Sequence, residues 1–389
     1  MNTSTWTFVA FANLVLAAAL AAALPAMAGA PASGGHAAVR PAIEVRVGPD
    51  GPVLKVTIGE PVSAAQLKHW EMAAALGDAN AENMLAEVAL GRRDYARGAG
   101  WARKSALRGY APAEVALGAC YLTGSGVPRN YARALRWFRR AGSHGSAAAD
   151  RYIGKIYENG WGVPRDYTVA ARWNAIAAAK GSAGAQVRLG FQYSVGLGVR
   201  LNYQKAVRWF RMAAAQGDAM GEAELGSMYA LGLGTARNRA KALFWYRRSA
   251  SQGCGAGEDG LGMLYMTGHG VPRNYQVAMR YFKQAAARGE AQAMYNVGYI
   301  YAYGLGVPPD LFKAKAWFQR AVDAGDRHAR RDLRRATFLI HLNFLIKLVA
   351  VLVVAGGIWL VWRWLWKRRR ASQQVKLAAI VNRGWDAGG

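Results

Sequence analysis

The chain has 389 residues, and Lys and Arg outnumber Asp and Glu by 50 to 23, which gives a formal net charge of +27. A charge of this size favours acidic partners such as anionic lipid, acidic polysaccharide, nucleic acid or an acidic protein, although a solvated surface accounts for it equally well. The two cysteines, Cys120 and Cys254, lie 134 residues apart, which in a chain of stacked repeats is beyond the reach of a disulfide. We expect Cys120 to be a small apolar residue within a helix and Cys254 to be an unpaired loop thiol.

The N-terminal segment is predicted to be an export signal. Residues 1–28 carry no charge, contain an apolar run from Phe8 to Leu24 and end in the small-x-small pattern Ala26-Met27-Ala28, typical of a signal-peptide cleavage site. A basic residue is missing near the start, so an uncleaved anchor is the alternative. We predict a cleaved signal peptide, because Pro25 and the Ala- and Gly-rich sequence that follows are not typical of a membrane exit.

A β-hairpin is predicted within the linker 29–62. Two short runs alternate between apolar and polar residues, and Gly48-Pro49-Asp50-Gly51 between them is a turn sequence. The apolar positions are Ile43, Val45, Val47, Leu54, Val56 and Ile58. Two strands alone are marginally stable, so we expect the hairpin to pack on the first helices that follow, as an N-terminal cap.

Glycine and tyrosine recur every 36 residues along most of the chain. The first glycine column comprises Gly118, Gly154, Gly190, Gly226, Gly262 and Gly298, and the tyrosine column comprises Tyr121, Tyr157, Tyr193, Tyr229, Tyr265 and Tyr301. A third column closes each unit at Gly145, Gly181, Gly217, Gly253, Gly289 and Gly325. A strict period of this kind predicts stacked supersecondary units, which offer a long surface and rarely a catalytic pocket.

Each unit is predicted to be a pair of helices. In the first copy, Leu117 and Gly118 fall on one side of the first helix, at the spacing of a buried stripe. Gly118 lacks a side chain, which would let the second helix approach closely. The second helix is predicted to begin at the N-cap Asn130, to bury Trp137 and to end at Gly145.

The pattern A-x-x-x-L-G-x-x-Y-x-x-G-x-G-V-P-x-[ND]-Y-x-x-A-x-x-W-x-x-x-A-x-x-x-G closely resembles the SEL-like repeat family, a branch of the tetratricopeptide-type helical repeats. The resemblance covers six copies over 113–325, and a degenerate copy without the turn glycines precedes them over 63–112. It implies an all-α fold, an α/α solenoid of 36-residue SEL-like repeats with first helices on the concave surface and second helices on the convex one. With the apolar segments at both ends, it indicates a membrane-anchored bacterial member.

The C-terminal part is predicted to be a capping helix over 326–343 that runs without a linker into a transmembrane helix over 344–366, followed by a basic cytoplasmic tail over 367–389. The apolar stretch ends in an aromatic belt and a basic flank, formed by Trp359, Trp362, Trp364 and Trp366 and then by Lys367-Arg368-Arg369-Arg370. Arginines flank the other end almost equally, so the orientation depends on the N-terminal signal. We predict a single-pass protein of the bacterial inner membrane with a periplasmic repeat domain and a cytoplasmic tail.

A partner-binding groove is predicted on the first helices. Positions opposite the buried stripe vary between copies and are partly apolar, which is typical of a face that binds a protein or peptide. The candidates are Lys155, Phe191, Met263, Tyr295, Tyr299 and Tyr303. The three tyrosines follow one another at helical spacing, and packing beneath the capping helix or at the membrane surface is the alternative for them.

Two basic columns are predicted on the second helices. They comprise Arg136, Arg172, Arg208 and Arg280 in the first column and Arg139, Arg211, Arg247 and Lys283 in the second. Attraction to anionic lipid or acidic glycan is one interpretation, and a solvated face is the other. No nucleic-acid partner is expected, because export would remove the domain from the cytoplasm.

The sequence gives little support for catalysis or for a cofactor. The histidines occupy unrelated positions, no phosphate-binding or nucleophile motif occurs, and Glu158, Glu222 and Glu258 are interpreted as scattered acids without a recurring partner. We therefore predict a non-enzymatic scaffold or adaptor, without a cofactor or metal, that docks a protein partner in an envelope assembly. A binding module for acidic polysaccharide or anionic lipid is one alternative, and an enzyme with an unrecognised site is the other.

Overall fold

The computed structural model describes residues 42–48, 51–57 and 62–385. The predicted signal peptide over 1–28 and the last four residues of the predicted tail lie outside the described residues. The chain divides into two compact units, one that extends to Ala293 and one that begins at Met294.

Two strands precede the helices, as the alternating sequence predicted. β1 (Ala42–Gly48) and β2 (Gly51–Thr57) pair in antiparallel orientation, with Gly48 opposite Gly51 and Val45 opposite Leu54. Residues that face each other across an antiparallel pair lie on the same side of the hairpin, so Val45 and Leu54 form one apolar face. Both side chains are buried.

Sixteen helices follow in the part of the chain that the structure describes. The first helices of successive repeats are α2 (Ala79–Gly91), α4 (Ala111–Thr123), α6 (Ala147–Asn159), α8 (Ala183–Val195), α10 (Ala219–Leu231), α12 (Gly255–Thr267) and α14 (Ala291–Tyr303). The second helices are α3 (Tyr95–Leu107), α5 (Tyr131–Ser143), α7 (Tyr167–Ala179), α9 (Tyr203–Ala215), α11 (Arg239–Ser251), α13 (Tyr275–Ala287) and α15 (Leu311–Asp323). α1 (Ala64–Ala75) precedes these pairs and α16 (Ala329–Trp385) follows them. The predicted all-α solenoid with a small N-terminal hairpin is confirmed.

The second helices begin at the predicted caps. The Asn130 side-chain oxygen accepts a hydrogen bond of 2.9 Å from the Arg133 backbone N–H, which satisfies one of the free donors at the start of α5. The same cap recurs at Asp166, Asn202, Asn238, Asn274 and Asp310. Gly145, beyond the end of α5, has a φ of +88°, the left-handed conformation predicted for it.

A glycine on the first helix makes room for an aromatic ring on the second. A Cβ atom added at Gly118 would lie 2.7 Å from Phe138 Cε1, so a larger residue would displace the ring. Phe138 is fully buried, whereas Trp137, the residue predicted to be buried there, is only half-buried. The prediction was wrong by one position: both residues lie on the apolar stripe, but Phe138 is the one that faces Gly118.

The loop between the two helices of the N-terminal pair differs from the loops of the later repeats, because it contains no glycine. In later repeats a loop glycine approaches the backbone of the preceding repeat; a Cβ at Gly126 would overlap the Tyr95 carbonyl group at the start of α3. The loop between α2 and α3 comprises only residues 92–94. There Arg93 adopts a φ of +63°, the one left-handed non-glycine conformation among the described residues. This short loop explains why the first copy lacks the turn glycines.

The C-terminal unit ends in one unbroken helix. Phe318 and Ala336 form the centre of its core, with Leu333 packed against them. α16 continues from this packed region through an apolar stretch without a break, as predicted for the junction of the capping helix and the apolar segment. Side chains from His341 to Ser372 are exposed, and by length and composition α16 is the one described helix that could cross a membrane. The boundaries at 343 and 366 within it remain predictions.

Candidate partner-binding face

The hairpin packs on the first helices, on the surface where partner binding is predicted. We call this surface the first-helix face; it comprises the positions of Val115 and Ala119 on α4 and their equivalents in the other repeats. Val45 and Leu54 join Val115 and Ala119 in one buried apolar cluster. β2 contacts α2 and α4, and β1 contacts α4. The hairpin therefore covers the first-helix face at the N-terminal repeats.

Lys155 on α6 holds the hairpin at the outer edge of β1. Pro52 lacks an N–H, so the Val47–Pro52 pair is not hydrogen-bonded, and by alternation neither is the Val45–Leu54 pair. The Val45 carbonyl oxygen therefore points away from β2, and it accepts a hydrogen bond of 2.6 Å from Lys155 Nζ. Lys155, one of the predicted partner-binding residues, binds a segment of its own chain.

Burial of the Lys155 ammonium group has an electrostatic consequence. Desolvation, aided by the neighbouring Arg151, lowers the pKa of Lys155 to about 8. The Tyr152 ring is also buried under the hairpin, where its hydroxyl is hydrogen-bonded to the Val45 backbone, and burial raises its pKa. These two side chains add polar contacts to the apolar cluster beneath the hairpin.

The first-helix face is open farther along the first unit. Phe191 on α8 and Met263 on α12, both predicted to bind a partner, are half-buried and lie beyond the main contacts of the hairpin. The Arg188 guanidinium group lies 5.2 Å from the centre of the Phe191 ring. Leu231 at the end of α10 remains 41% exposed. The open part of this face thus combines apolar surface with a cation held on an aromatic ring.

The three predicted tyrosines occupy the C-terminal unit and differ in accessibility. The Tyr295 hydroxyl donates a hydrogen bond of 2.9 Å to Asp332 on α16, and its ring packs against Phe318. Burial raises the pKa of Tyr295. Tyr299 lies between Tyr295 and Tyr303, and Tyr303 is 53% exposed. Tyr295 thus adopts the alternative arrangement, beneath the capping helix, and Tyr303 presents the most accessible ring.

A polar network replaces the aromatic core residue in one repeat. Asn174 on α7 occupies the position of Phe138, and its amide donates to Gln192 Oε1 at 3.2 Å. Gln192 in turn donates to Glu158 Oε1 at 3.0 Å. Arg188 donates to the same carboxylate at 2.7 Å. Glu158 is therefore not a scattered acid: it closes a network at the junction of α6, α7 and α8, next to Phe191.

A buried polar side chain also recurs in the first turn of the first helices. In the 36-residue copies the column comprises Glu114, Asp150, Gln186, Glu222 and Glu258, and its counterpart in the N-terminal copy is Glu82, which pairs with Arg108 at 3.3 Å. Arg140 pairs with Glu114 at 2.7 Å, Lys180 with Asp150 at 2.6 Å, Arg248 with Glu222 at 2.9 Å and Arg288 with Glu258 at 3.0 Å. Burial raises the pKa of Glu222, and Arg248 opposes that rise. The interpretation of Glu222 and Glu258 as acids without a recurring partner was wrong.

This column has a structural role that the sequence period could have shown. Each side chain joins the start of a first helix to the end of the second helix in the same repeat. The carboxylates also lie at helix N-termini, where the helix dipole favours negative charge. Their repetition every 36 residues was visible in the sequence, but their partners follow 26 or 30 residues later, a spacing that only the helical hairpin explains.

The two predicted basic columns are exposed. We call the surface of the second helices that carries them the second-helix face. All eight side chains are exposed, and seven of them, all but Lys283, form no ion pair within the described residues. Arg139 and Arg211 lie near tyrosine hydroxyls at 3.4 and 3.5 Å. Phe244 interrupts the first column on α11, and it is 52% exposed.

Within the residues that the structure describes, neither a cluster of metal ligands nor a thiol of lowered pKa is found. In the described ranges, no three His, Cys, Asp or Glu side chains form a cluster that could hold a metal ion. Both cysteines are free, and Cys120 is fully buried, as expected of a small apolar residue. Burial raises the pKa of its thiol to about 12, which keeps it protonated and unreactive.

Comparison with known proteins agrees with the repeat architecture. The model of the Sel1 repeat matches seven segments, which together exceed half of the chain: residues 79–110, 111–146, 147–182, 183–218, 219–254, 257–290 and 291–326. The N-terminal copy without turn glycines is therefore a seventh repeat. No relative matches among curated proteins.

Two solved structures share the fold. A protective antigen of uropathogenic Escherichia coli with an SLR fold is 33% identical, with a TM-score of 0.56 over 70% of this chain and 59% of that one. A Sel1 repeat protein from Oxalobacter formigenes is 26% identical, with a TM-score of 0.58 over 62% of this chain and 96% of that one. Seven matched repeats and the paired-helix structure establish that this chain belongs to the Sel1 repeat family.

Proposed function

We propose that this protein is a membrane-anchored adaptor that binds a protein partner on the first-helix face of α8, α10 and α12. Sel1 repeat folds generally mediate protein–protein interaction, and they are typically non-enzymatic scaffolds. Three features are specific to this chain: the first-helix face as the binding surface, an extended segment as the part of the partner that binds, and a membrane as the location.

The observation that carries the proposal is the packing of the hairpin on this face. Ala119, Lys155, Phe191, Ser227 and Met263 occupy equivalent positions in successive repeats. The first two lie under the hairpin, where apolar contacts and the hydrogen bond from Lys155 to a strand carbonyl hold an extended segment. The next three lie on the uncovered helices. We infer that an extended segment of the partner binds there, through the side chains of Phe191 and Met263.

The proposed location is the bacterial inner membrane. The exposed apolar stretch of α16, its tryptophans and its basic end support a single span, and the N-terminal sequence supports export of the repeats. Compartment-sensitive reporters fused after Gly325 and at Gly389 test this topology. An exported Gly325 and a cytoplasmic Gly389 would support it, and a cytoplasmic Gly325 would contradict it.

Partner capture by full-length variants tests the proposed face. In Phe191→Ser/Met263→Ser, we expect loss of the proteins that co-purify with the wild-type chain from native membranes. Leu201→Ser is the matched control, because Leu201 is an exposed apolar residue in the loop before α9. Equal capture by the wild type and the double variant, with helicity unchanged in both, would contradict the proposal.

A second candidate function is binding to an acidic surface, either glycan or anionic lipid, through the second-helix face. The exposure of all eight basic side chains favours it, as does the lack of ion pairs for seven of them within the described residues. Unpaired surface arginines retain their full attraction for an anionic partner. Steep weakening of binding with increasing salt would support this candidate, and salt-insensitive binding would count against it.

A further inference from the structure

We propose that the second-helix face of α7, α9 and α11 contacts an anionic bilayer, with three apolar side chains inserted among the lipid headgroups. The inference rests on the second candidate function and commits it to lipid. The three side chains are Ile176, Met212 and Phe244, which are 42%, 47% and 52% exposed.

One of the three apolar side chains, Phe244, lies in the first basic column, and the other two lie one helical turn from arginines of that column. Ile176 follows Arg172 by one helical turn on α7, and Met212 follows Arg208 by one turn on α9. Phe244 takes the place of an arginine in the same column on α11, one turn before Arg248. Three consecutive second helices thus present an exposed apolar side chain next to an exposed arginine.

The internal packing of the repeats does not require apolar residues at these positions. The residues equivalent to Ile176 and Met212 in other repeats include Arg140 and Arg248, which pair with the buried acids of their own repeats. In the repeat of α7, Lys180 pairs with the acid instead, and in the repeat of α9 the acid is replaced by Gln186. Both surface positions are thereby released from ion pairing. An isoleucine and a methionine there, together with Phe244, place exposed apolar side chains beside arginines on three consecutive second helices, the combination found on surfaces that lie on anionic membranes.

The surface beside Phe244 has the form expected of a headgroup site. A shallow depression of about 370 Å³ is lined by Leu243, Phe244, Arg247, Arg248 and two small residues. The Phe244 ring packs edge-on against Trp245, with ring centres 5.0 Å apart, which fixes its position. Arg248 is already paired with Glu222, whereas Arg247 forms no ion pair within the described residues, so its guanidinium group can bind a phosphate oxygen. The neighbouring Phe244 ring can then contact the start of an acyl chain.

A bilayer explains this combination better than an acidic polysaccharide does. A polysaccharide would be attracted to the arginines alone and gives no reason for Ile176 and Met212 to be apolar. Insertion of apolar side chains beside basic ones is how proteins lie on anionic membranes, through burial of apolar area together with attraction to the headgroups. The predicted span of α16 would keep the chain at a membrane.

The test uses the full chain held in phosphatidylcholine nanodiscs, which accommodate α16, and added vesicles of phosphatidylglycerol or of phosphatidylcholine. We expect co-flotation with phosphatidylglycerol vesicles only. Ile176→Ser/Met212→Ser/Phe244→Ser keeps every arginine, and we expect it to weaken the apparent affinity by about tenfold or more. Arg172→Glu/Arg208→Glu should abolish flotation. Leu201→Ser is the control and should float like the wild type.

Three results would overturn the inference. One is the absence of flotation of the wild type with phosphatidylglycerol vesicles. Another is wild-type flotation of the triple serine variant, which would show that the apolar residues make no contact with lipid. The third is a competition result: a soluble acidic polysaccharide displaces the wild type from the vesicles, and the triple serine variant binds this polysaccharide as tightly as the wild type does. That result would make glycan the partner. Each can occur while partner capture through Phe191 and Met263 persists, so the two proposals can fail separately.

Discussion

The first-helix face is covered in one part of the solenoid and open in another, although the repeats that form it have the same backbone plan. On α4, Val115 is 8% exposed beneath the hairpin, and on α6 Lys155 contacts β1. On α8 and α12, the equivalent positions carry Val187, Phe191 and Met263, all of which are half-buried. The same face therefore serves as part of the core in one place and as accessible surface in another.

The difference shows what this face can bind. The hairpin is an extended segment that is held by apolar contacts and by hydrogen bonds of Lys155 and Tyr152 with the Val45 backbone. The open positions carry apolar side chains like those beneath the hairpin. Next to them, the Arg188 guanidinium group lies over the Phe191 ring and supplies a positive charge. A partner would thus find on α8 to α12 a surface of the kind that the N-terminal repeats already use internally.

The largest difference in stability is expected between aspartate substitutions at two equivalent valines, one on the covered and one on the open part of the face. Val115→Asp should lower the free energy of unfolding by about 3 kcal/mol or more, because it places an unpaired carboxylate beneath the hairpin. Val187→Asp, at the equivalent position on the open face, should cost about 1 kcal/mol or less, because its carboxylate can reach water. Chemical denaturation of the full chain in detergent measures both. Equal losses would show that the hairpin does not exclude water from α4.

The ionisation of Lys155 should make the covered region sensitive to pH. The pKa of Lys155 is lowered from 10.5 to about 8 in the folded chain, so burial disfavours the charged form. Between these values the unfolded chain binds more protons, and stability therefore rises with pH. Below about pH 8 the full cost of the buried charge is present, and above 10.5 it has disappeared.

Comparison with Lys155→Met isolates this effect. From pH 8 to 10.5, the unfolding free energy of the wild type should rise relative to that of the variant by an amount on the order of 1–3 kcal/mol. Denaturation curves of both proteins, collected at several pH values, measure the difference. Parallel pH profiles would mean that Lys155 is not buried against β1.

A smaller difference is expected within the hairpin itself. Val45 is fully buried against the helices, whereas Val53 on β2 is 53% exposed. Val45→Ala should destabilise the docked hairpin by about 1–2 kcal/mol, and Val53→Ala should change it by about 0.5 kcal/mol or less. Hydrogen exchange of the β1 and β2 amides reports the docking equilibrium. Equal protection in the two variants would contradict the assignment of Val45 to the interface.

The sequence was sufficient to predict the repeated fold because its constraints are local. Gly118 must be small, Asn130 must cap a helix and Gly145 must adopt a left-handed conformation, and each requirement recurs with the period. The buried ring was placed one residue early, at Trp137, because periodicity defines a stripe and does not distinguish neighbours at its edge.

The candidate site was harder to predict because it depends on contacts between distant segments. The alternation in β1 and β2 predicted strands, but no pattern specified that Lys155 would reach the Val45 carbonyl. Lys155 therefore appeared to be a free groove residue. The partners of Glu222 and Glu258 were missed for a similar reason, because pairing across a helical hairpin does not follow the spacing along one helix.

Site-specific photocrosslinking in native membranes shows whether a partner contacts the open first-helix face. A benzoylphenylalanine residue at position 191 or 263 of the full chain samples the open first-helix face. Position 204, an exposed site on α9, serves as the control. We expect one and the same partner adduct from positions 191 and 263, and none from 204. Adducts of that partner from 204 with none from 191 and 263 would contradict this expectation.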